Sequence, residues 1–304
     1  MAGTENMKVG IIGVGMVGGP LARFFQEVAG RTRGRDLFLF DIDPKKGYDD
    51  DANLADVIFV SVPTPRDKQT GAVRLDAVAA ALAGIRGPKI VVLKSTISPG
   101  TTEMFQRQYQ THKILFNPEF LTEAHAWEDT LHPERQLVGS TAQSCDMAQT
   151  VLALLPKAAV SSPSSDLTLS ATEAEIIKYA ANVFLTRKVT FANAIYDLAK
   201  HHGVSYEHIR AGIASDSRIG PSHLDAEYHG YRGYGGYCFV KDTDGLIAHL
   251  RAVGLTRDAE LFEADRAFNT VLLASQGLTP EDVSLHDHEW IASKLATRGK
   301  KQEN

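Results

Sequence analysis

Cysteine is scarce in this chain: Cys145 and Cys238 are the only two among 304 residues. Two thiols far apart in sequence build no disulfide framework, and both are expected to be free in a reducing compartment. A basic excess is missing as well. Lysine and arginine total 32 against 37 acidic residues, a formal net charge of −5. No basic stripe is interleaved with aromatics, so nucleic acid is not an expected partner, and Arg298, Lys300 and Lys301 read as a solvated end. Long apolar runs are also lacking. No segment approaches a membrane span and the stretch from Met1 to Met7 is polar, unlike a signal peptide, so a cytoplasmic protein with no membrane partner is expected. Internal repeats and low-complexity segments are absent. What remains is a chain with 43% hydrophobic and 23% charged residues, enough to bury a full core and long enough for two domains.

Short apolar strands alternate with helical stretches through the first half. Val9–Ile12, Leu37–Phe40, 57–62, Ile90–Leu93, 114–116 and 136–138 are the strand candidates, an α/β pattern with a parallel sheet. The link from the second strand to the third is short and acidic, with Asp49, Asp50, Asp51 and Asp56. Ser161-Ser-Pro-Ser-Ser165 reads as a linker, beyond which the pattern turns helical. Thr172-Glu-Ala-Glu175 has the form of a capping box opening a helix toward Lys200, and a further helix is expected over Thr256–Ser275, with Leu261, Ala264, Phe268 and Leu272 at helical spacing. The expected domains are 1–165, a dinucleotide-binding Rossmann-type parallel sheet; 166–276, a helical central domain; and 277–304, a tail.

The first strand runs into Gly13-x-Gly15-x-x-Gly18 and then a helix, the context a dinucleotide fingerprint requires. Gly13 permits the turn, Gly15 lets a pyrophosphate approach the backbone with Met16 and Val17 beside it, and Gly18 lets helix and strand pack closely. Asp41 ends the second strand 23 residues beyond Gly18, where a carboxylate accepts the ribose hydroxyls of NAD and repels the extra phosphate of NADP. Arg33, Arg35, Lys45 and Lys46 nearby leave NADP open.

Residues 233–242 read Gly-Tyr-Gly-Gly-Tyr-Cys-Phe-Val-Lys-Asp. Cys238 is a candidate nucleophile, with Lys241 expected to favour its thiolate and Asp242 to hold a lysine or a water. Gly233, Gly235 and Gly236 are expected to leave room for a substrate. The alternative is a structural cysteine beside a glycine turn. The spacing of His286-Asp-His288 fits a turn and not a helical ligand pair, and no cysteine is near in sequence, so no metal is expected.

Further motifs follow in order: Val62-Pro-Thr-Pro65, Ser95-Thr-Ile-Ser-Pro-Gly-Thr101, Asn117-Pro-Glu-Phe-Leu-Thr-Glu123, Pro133-Glu-Arg-Gln-Leu-Val-Gly139, Glu175-Ile-Ile-Lys-Tyr-Ala-Ala-Asn182, Asp216-Ser-Arg-Ile-Gly220 and Gly235-Gly-Tyr-Cys-Phe-Val-Lys-Asp242. With the fingerprint, they make the chain resemble the UDP-glucose/GDP-mannose dehydrogenases over residues 8–275. The resemblance implies a four-electron oxidation of a nucleotide sugar by NAD, alcohol to aldehyde to carboxylate, with a thioester on Cys238. UDP-glucose is the first candidate substrate.

It also implies roles. Lys178 and Asn182, four apart on one helix face, would stabilise a growing oxyanion, whereas the bland reading is a solvated surface pair. Glu123 would be the base toward water, with Thr96 and Asp242 also managing water. Pro63, Thr64, Thr96 and Lys241 would contact the dinucleotide. Glu119, Phe120, Leu121, Glu123, Lys178, Arg218, Tyr234, Gly235 and Gly236 would contact the substrate, and Arg218 would reach the diphosphate across a dimer interface. A homodimer is expected along the Thr256–Ser275 helix.

Departures from the family bear on substrate. Residues 277–304 are too few for the second Rossmann-like domain with which relatives grip the nucleotide. The interval from Arg218 to Cys238, 20 residues, is longer than usual. Thr122, Ala124, Ala194 and Val240 replace a usual arginine, glycine, glutamate and proline; Val240 is expected to loosen the loop holding Cys238. The alternatives are therefore a dehydrogenase of a different or non-nucleotide sugar, and a non-catalytic NAD-binding relic or partner subunit.

Overall fold

The structure is a computed structural model describing residues 4–158 and 166–284, apart from the side chains of Glu5, Glu123 and Asp166. The 161–165 stretch, the 286–288 histidine pair and residues 285–304 of the tail lie outside the described residues. The chain divides into two units: Met1–Pro65 with Val73–Lys178, and Arg66–Ala72 with Tyr179–Asn304.

The first unit opens with β1 (Val9–Ile12), α1 (Gly18–Glu27), β2 (Leu37–Phe40) and β3 (Val57–Val60). It continues with α2 (Asp76–Ala83), β4 (Ile90–Leu93), α3 (Thr101–Gln108), β5 (Lys113–Phe116) and α4 (Ala126–Leu131). Then come β6 (Gln136–Ser140), α5 (Ala148–Leu154), β7 (Asp166–Ser170) and the start of α6 (Ala171–His201). The strands form one sheet in the order β2-β1-β3-β4-β5-β6-β7.

Central strands covered on both faces need continuous apolar sequence, and β3 meets that demand with Val-Ile-Phe-Val, every residue buried. Val57 and Phe59 share a core with Leu21 and Phe25 of α1 and Val151 of α5. Ile58 and Val60 share the other with Val78 and Leu82 of α2 and Phe105 of α3. Burying each such side chain stabilises the fold by roughly 1.5–3 kcal/mol.

The expected parallel Rossmann-type sheet is present, with one departure. β5 and β6 pair antiparallel, Leu115 opposite Ser140 and Phe116 opposite Gly139, while β6 and β7 are parallel. An apolar run as short as β6 carries no signal of its direction, and β7, which is part polar, was not foreseen as a strand.

Helix α6 starts two residues earlier than the Thr172–Glu175 pattern suggested. Glu173 accepts from the Ser170 N–H at 2.8 Å and the Ser170 hydroxyl at 2.7 Å, while the Glu173 N–H donates back to Ser170 Oγ at 3.3 Å. Ser170 and Glu173 thus form the reciprocal cap, and Glu175 turns inward instead.

The second unit holds α6 from Tyr179, α7 (Tyr206–Ala214), a hairpin of β8 (Glu227–Tyr228) and β9 (Tyr231–Arg232), α8 (Tyr237–Ala252), α9 (Thr256–Ser275) and α10 (Pro280–Val283). The hairpin fills part of the long Arg218–Cys238 interval. Arg232 anchors it to α6 by donating to Asn193 Oδ1 at 3.0 Å, pairing with Asp197 at 2.7 Å and lying 4.3 Å over the Tyr196 ring. No helix among the described residues is long and apolar enough to cross a membrane.

Candidate active site

The β1–α1 turn has the close contacts its glycines were expected to serve. Gly13 has φ 91°, and a Cβ there would lie 2.6 Å from the Ser61 carbonyl oxygen. A Cβ on Gly18 would come within 2.0 Å of the Gly13 oxygen. Gly15 differs: a Cβ there meets nothing within 4 Å, so this part of the turn faces open space at the start of α1, whose first N–H groups a helix leaves without intrahelical acceptors. Met16 is exposed beside it, and Val17 stands at the N-cap position without a side-chain bond to the helix.

Asp41 closes the pattern. Its Oδ2 accepts from the Val14 N–H at 2.8 Å and from Lys46 Nζ at 2.8 Å, and its Oδ1 accepts from the Asp43 N–H at 3.0 Å. Burial pushes this carboxyl up, but the bonds from Lys46, Asp43 and Val14 outweigh it and hold the group below its usual range. A turn open at Gly15, a helix start and an ionised acid beyond β2 fit the dinucleotide the fingerprint requires.

Other predicted residues lie where β3, β4 and β5 end. Thr64, buried, donates from its hydroxyl to the Thr96 carbonyl at 2.8 Å, and Pro63 beside it is exposed. Lys178 Nζ donates to the Glu119 carbonyl at 2.7 Å and to Glu119 Oε1 at 3.2 Å, while Glu119 Oε2 accepts from the Leu121 N–H at 2.7 Å. The Phe120 ring carries Lys178 on one contact, 5.4 Å from its centre, and Arg135 on another at 3.9 Å. Lys178 is 3% exposed, which removes the solvated-lysine reading. The side chain of Glu123 lies outside the described residues.

Two residues of this region were missed. Lys94, at the end of β4, is buried and donates to Asn117 Oδ1 at 2.6 Å. Burial lowers it from 10.5 to about 8, with Glu119 pulling it up and Lys178 pushing it further down. The signal was available: a lysine directly after the apolar run Ile90–Leu93 has its Cα in the interior. The other is Glu175, whose carboxylate bonds Thr102 at the start of α3.

In the second unit Cys238 sits on the first turn of α8, not on a loop, and its residue is exposed. Gly236, with φ 76°, precedes the helix as its N-cap. Asp242 is wholly buried on the next turn, where its Oδ2 accepts from Asn182 Nδ2 at 2.5 Å and its Oδ1 pairs with Lys241. Lys241 is itself buried, paired with Asp242 and 5.9 Å over the Tyr237 ring. Asp242 thus holds a lysine, one of the two partners expected for it. Val240 lies inside the helix in the core, so the expected loosening does not arise.

Other predicted contacts are not gathered here. Arg218 has an 87% exposed side chain and pairs with Asp216 at 2.6 Å. Tyr234 is buried, and Asn269 bonds its backbone N–H and carbonyl at 2.8 and 3.0 Å. A Cβ on Gly235 would lie 2.0 Å from the Tyr231 hydroxyl, and one on Gly233 2.6 Å from Asn269 Oδ1, so these two glycines serve packing within the chain. Gly236 borders open space. Among the described residues no cluster of three or more His, Cys, Asp or Glu is arranged to hold a metal.

Residues 45–155 match the NAD binding domain, and residues 172–271 the central domain, of the UDP-glucose/GDP-mannose dehydrogenase family. UDP-glucose 6-dehydrogenase TuaD of Bacillus subtilis is 34% identical over 211 residues, covering 66% of this chain and 43% of that protein. UDP-glucose 6-dehydrogenase 3 of Oryza sativa subsp. japonica is 34% identical over 253 residues, 78% of this chain and 50% of that one. The solved UDP-glucose dehydrogenase of Pyrobaculum islandicum has a TM-score of 0.75 at 28% identity, over 88% of this chain and 69% of that chain. The chain therefore spans about half the length of the curated relatives it matches. With both family domains matched in order and the fingerprint geometry intact, this chain belongs to the UDP-glucose/GDP-mannose dehydrogenase family and carries its NAD-binding and central domains.

Proposed function

We propose that this chain catalyses the NAD-dependent four-electron oxidation of a nucleotide sugar, with UDP-glucose as the first candidate, from primary alcohol to carboxylate through a thioester on Cys238. The observation that carries the reading is an exposed thiol on the first turn of α8, four residues before a buried Asp242 bonded to both Lys241 and Asn182. The open N–H groups of a first helical turn favour negative charge, so this is a good place for a thiol to attack from.

The alcohol loses a hydride and a proton, giving the aldehyde. Cys238 Sγ adds to the aldehyde carbon, and the thiol proton ends on the new hydroxyl. Loss of a second hydride and proton leaves the thioester, and water then displaces the thiol to give the carboxylate. When bound, NAD supplies the hydride acceptor, one molecule for each two-electron oxidation.

Residue roles follow the resemblance and the chemistry of each group. The turn at Gly13, Gly15, Met16, Val17 and Gly18 holds the pyrophosphate, Asp41 the ribose, and Pro63, Thr64 and Lys241 flank the dinucleotide. Lys178 and Asn182 donate to the sugar oxygen as its charge grows. Glu123, Asp242 and Thr96 orient water and take its proton. Glu119, Phe120, Leu121 and Gly236 line the substrate, and Arg218 meets its diphosphate.

A homodimer belongs to the same reading, through α6. The second unit exposes Phe184 (63%), Phe191 (51%) and Leu198 (53%) along that helix, an apolar row that a second copy would cover. The α9 row expected for this purpose is split, with Leu261 and Ala264 exposed but Leu272 buried in the unit's own core.

The test is the yield of NADH from purified chain with NAD and a panel of UDP-, GDP- and free sugars, alongside Cys238→Ser. Two NADH per nucleotide sugar, with the serine variant stalled before the carboxylate, supports the reading. NAD binding without turnover of any sugar removes it.

A further inference from the structure

Glu175 is 0% exposed on the second turn of α6, and its carboxylate reaches the start of α3. Oε2 accepts from the Gly100 N–H at 2.6 Å; Oε1 accepts from the Thr102 N–H at 2.8 Å and the Thr102 hydroxyl at 2.6 Å. The residue at the N-cap of α3, Gly100 with φ 86°, has no side chain with which to cap it. Glu175 thus supplies from another element what a serine or aspartate supplies locally.

The anchor is itself held in place. A Cβ on Gly139 of β6 would lie 2.7 Å from the Ala174 Cβ and 2.8 Å from the Ala171 Cα, so the first turns of α6 are pressed against the sheet and have little room to slide. Three residues beyond Glu175 on this helix, Lys178 binds Glu119. On the other side Thr96 is tied through its carbonyl to Thr64.

We infer that Glu175 is a positioning residue: from α6 it fixes the 95–102 turn after β4, and with it Thr96, in register with Lys178 and the Glu119 loop. The inference rests on the proposed dehydrogenase reading. Glu175 touches neither substrate nor cofactor in it and acts through the turn it holds.

Its charge state bears on how firmly it holds. Burial pushes the carboxyl up to about 7 against the bonds from Thr102 and Gly100, and Glu103 on α3 pushes it the same way. The anion binds a helix start through charge-assisted bonds, and the neutral acid binds it more weakly. The turn is therefore held firmly above neutral pH and loosens below it.

The test combines two readouts on the full chain. The first is the amide shifts of Gly100 and Thr102 by NMR between roughly pH 5.5 and 8.5 in the wild type and in Glu175→Gln, a range bracketing the carboxyl. The second is the pH profile of kcat and KM with NAD and UDP-glucose for wild type, Glu175→Gln and Glu175→Asp. Both amides are expected to titrate with one midpoint near neutral and to be flat in the glutamine variant. kcat is expected to fall about 10- to 100-fold in Glu175→Gln with KM changed much less. The acid limb of the wild-type profile is expected to disappear with it and to return in part in Glu175→Asp. Amides flat in the wild type, or a glutamine variant with the wild-type pH profile, overturn the inference. If the wild type turns over no nucleotide sugar, the proposed function fails, and the wild-type amide titration still decides whether Glu175 holds the turn.

Discussion

Replacing Lys94 with methionine is expected to stabilise the chain at neutral pH and to destabilise it near pH 10. Lys94 is buried, and its pKa is lowered from 10.5 to about 8. A lysine depressed in the folded state contributes stability above its unfolded value, and that contribution is lost as pH falls through the folded one. At pH 7 the wild type therefore carries nearly the whole penalty of a buried ammonium, about 3 kcal/mol. Methionine of similar reach removes that penalty but leaves Asn117 Oδ1 without its donor at 2.6 Å, a loss of about 1–3 kcal/mol. The net is a gain of about 1 kcal/mol at pH 7. Near pH 10 the lysine is mostly neutral in the fold, the relief shrinks below about 1 kcal/mol and the lost bond dominates. Urea midpoints by far-ultraviolet circular dichroism at the two pH values measure the difference. A variant less stable by the same amount at both pH values refutes the argument, because the ammonium would then carry no burial cost.

Gly13→Ala places a Cβ 2.6 Å from the Ser61 oxygen at φ 91°, so it is expected to cost about 1–3 kcal/mol, seen as a lowered Tm, and to weaken NAD in a calorimetric titration. Asp242→Ala strands the buried Lys241 ammonium and should cost about 3–5 kcal/mol by the same melt, with Asp242→Asn costing less. Asp41→Ala should weaken NAD about 10-fold while weakening NADP less, measured as two Kd values side by side. Glu175, raised from 4.5 to about 7, favours the fold fully below its unfolded value and loses that advantage as pH rises through 7. Wild type should accordingly lose about 3 kcal/mol relative to Glu175→Gln between pH 4.5 and 7.5 in paired melts.

The parts of this fold with a strong local signal were legible in the sequence. Val9–Ile12 with the glycines after it and all of α9 stand where their patterns put them, and β3 begins at Val57 as expected but ends at Val60, two residues short of the expected 62. The reading failed where a residue type has two uses. Glu175 in a Thr-x-x-Glu pattern reads as a cap, yet its helix begins at Ala171 and its carboxylate serves α3. Gly235 beside a cysteine reads as space for a ligand, yet the Tyr231 hydroxyl fills that space. α8 was hidden because its first turn is Tyr-Cys-Phe-Val after a glycine run, aromatic and β-branched residues that argue weakly for helix; its later packing in the core overrides them.

The row of Phe184, Phe191 and Leu198 recurs every seven residues on α6. A helix turns every 3.6 residues, so such a row drifts by about 20° with each repeat and winds around the rod as a slow left-handed spiral. A straight helix laid along it would leave the row within a few turns. A helix crossing at about 20°, with its own side chains set between these three, would follow the spiral for longer, so the spacing fixes an angle of approach as well as an apolar area.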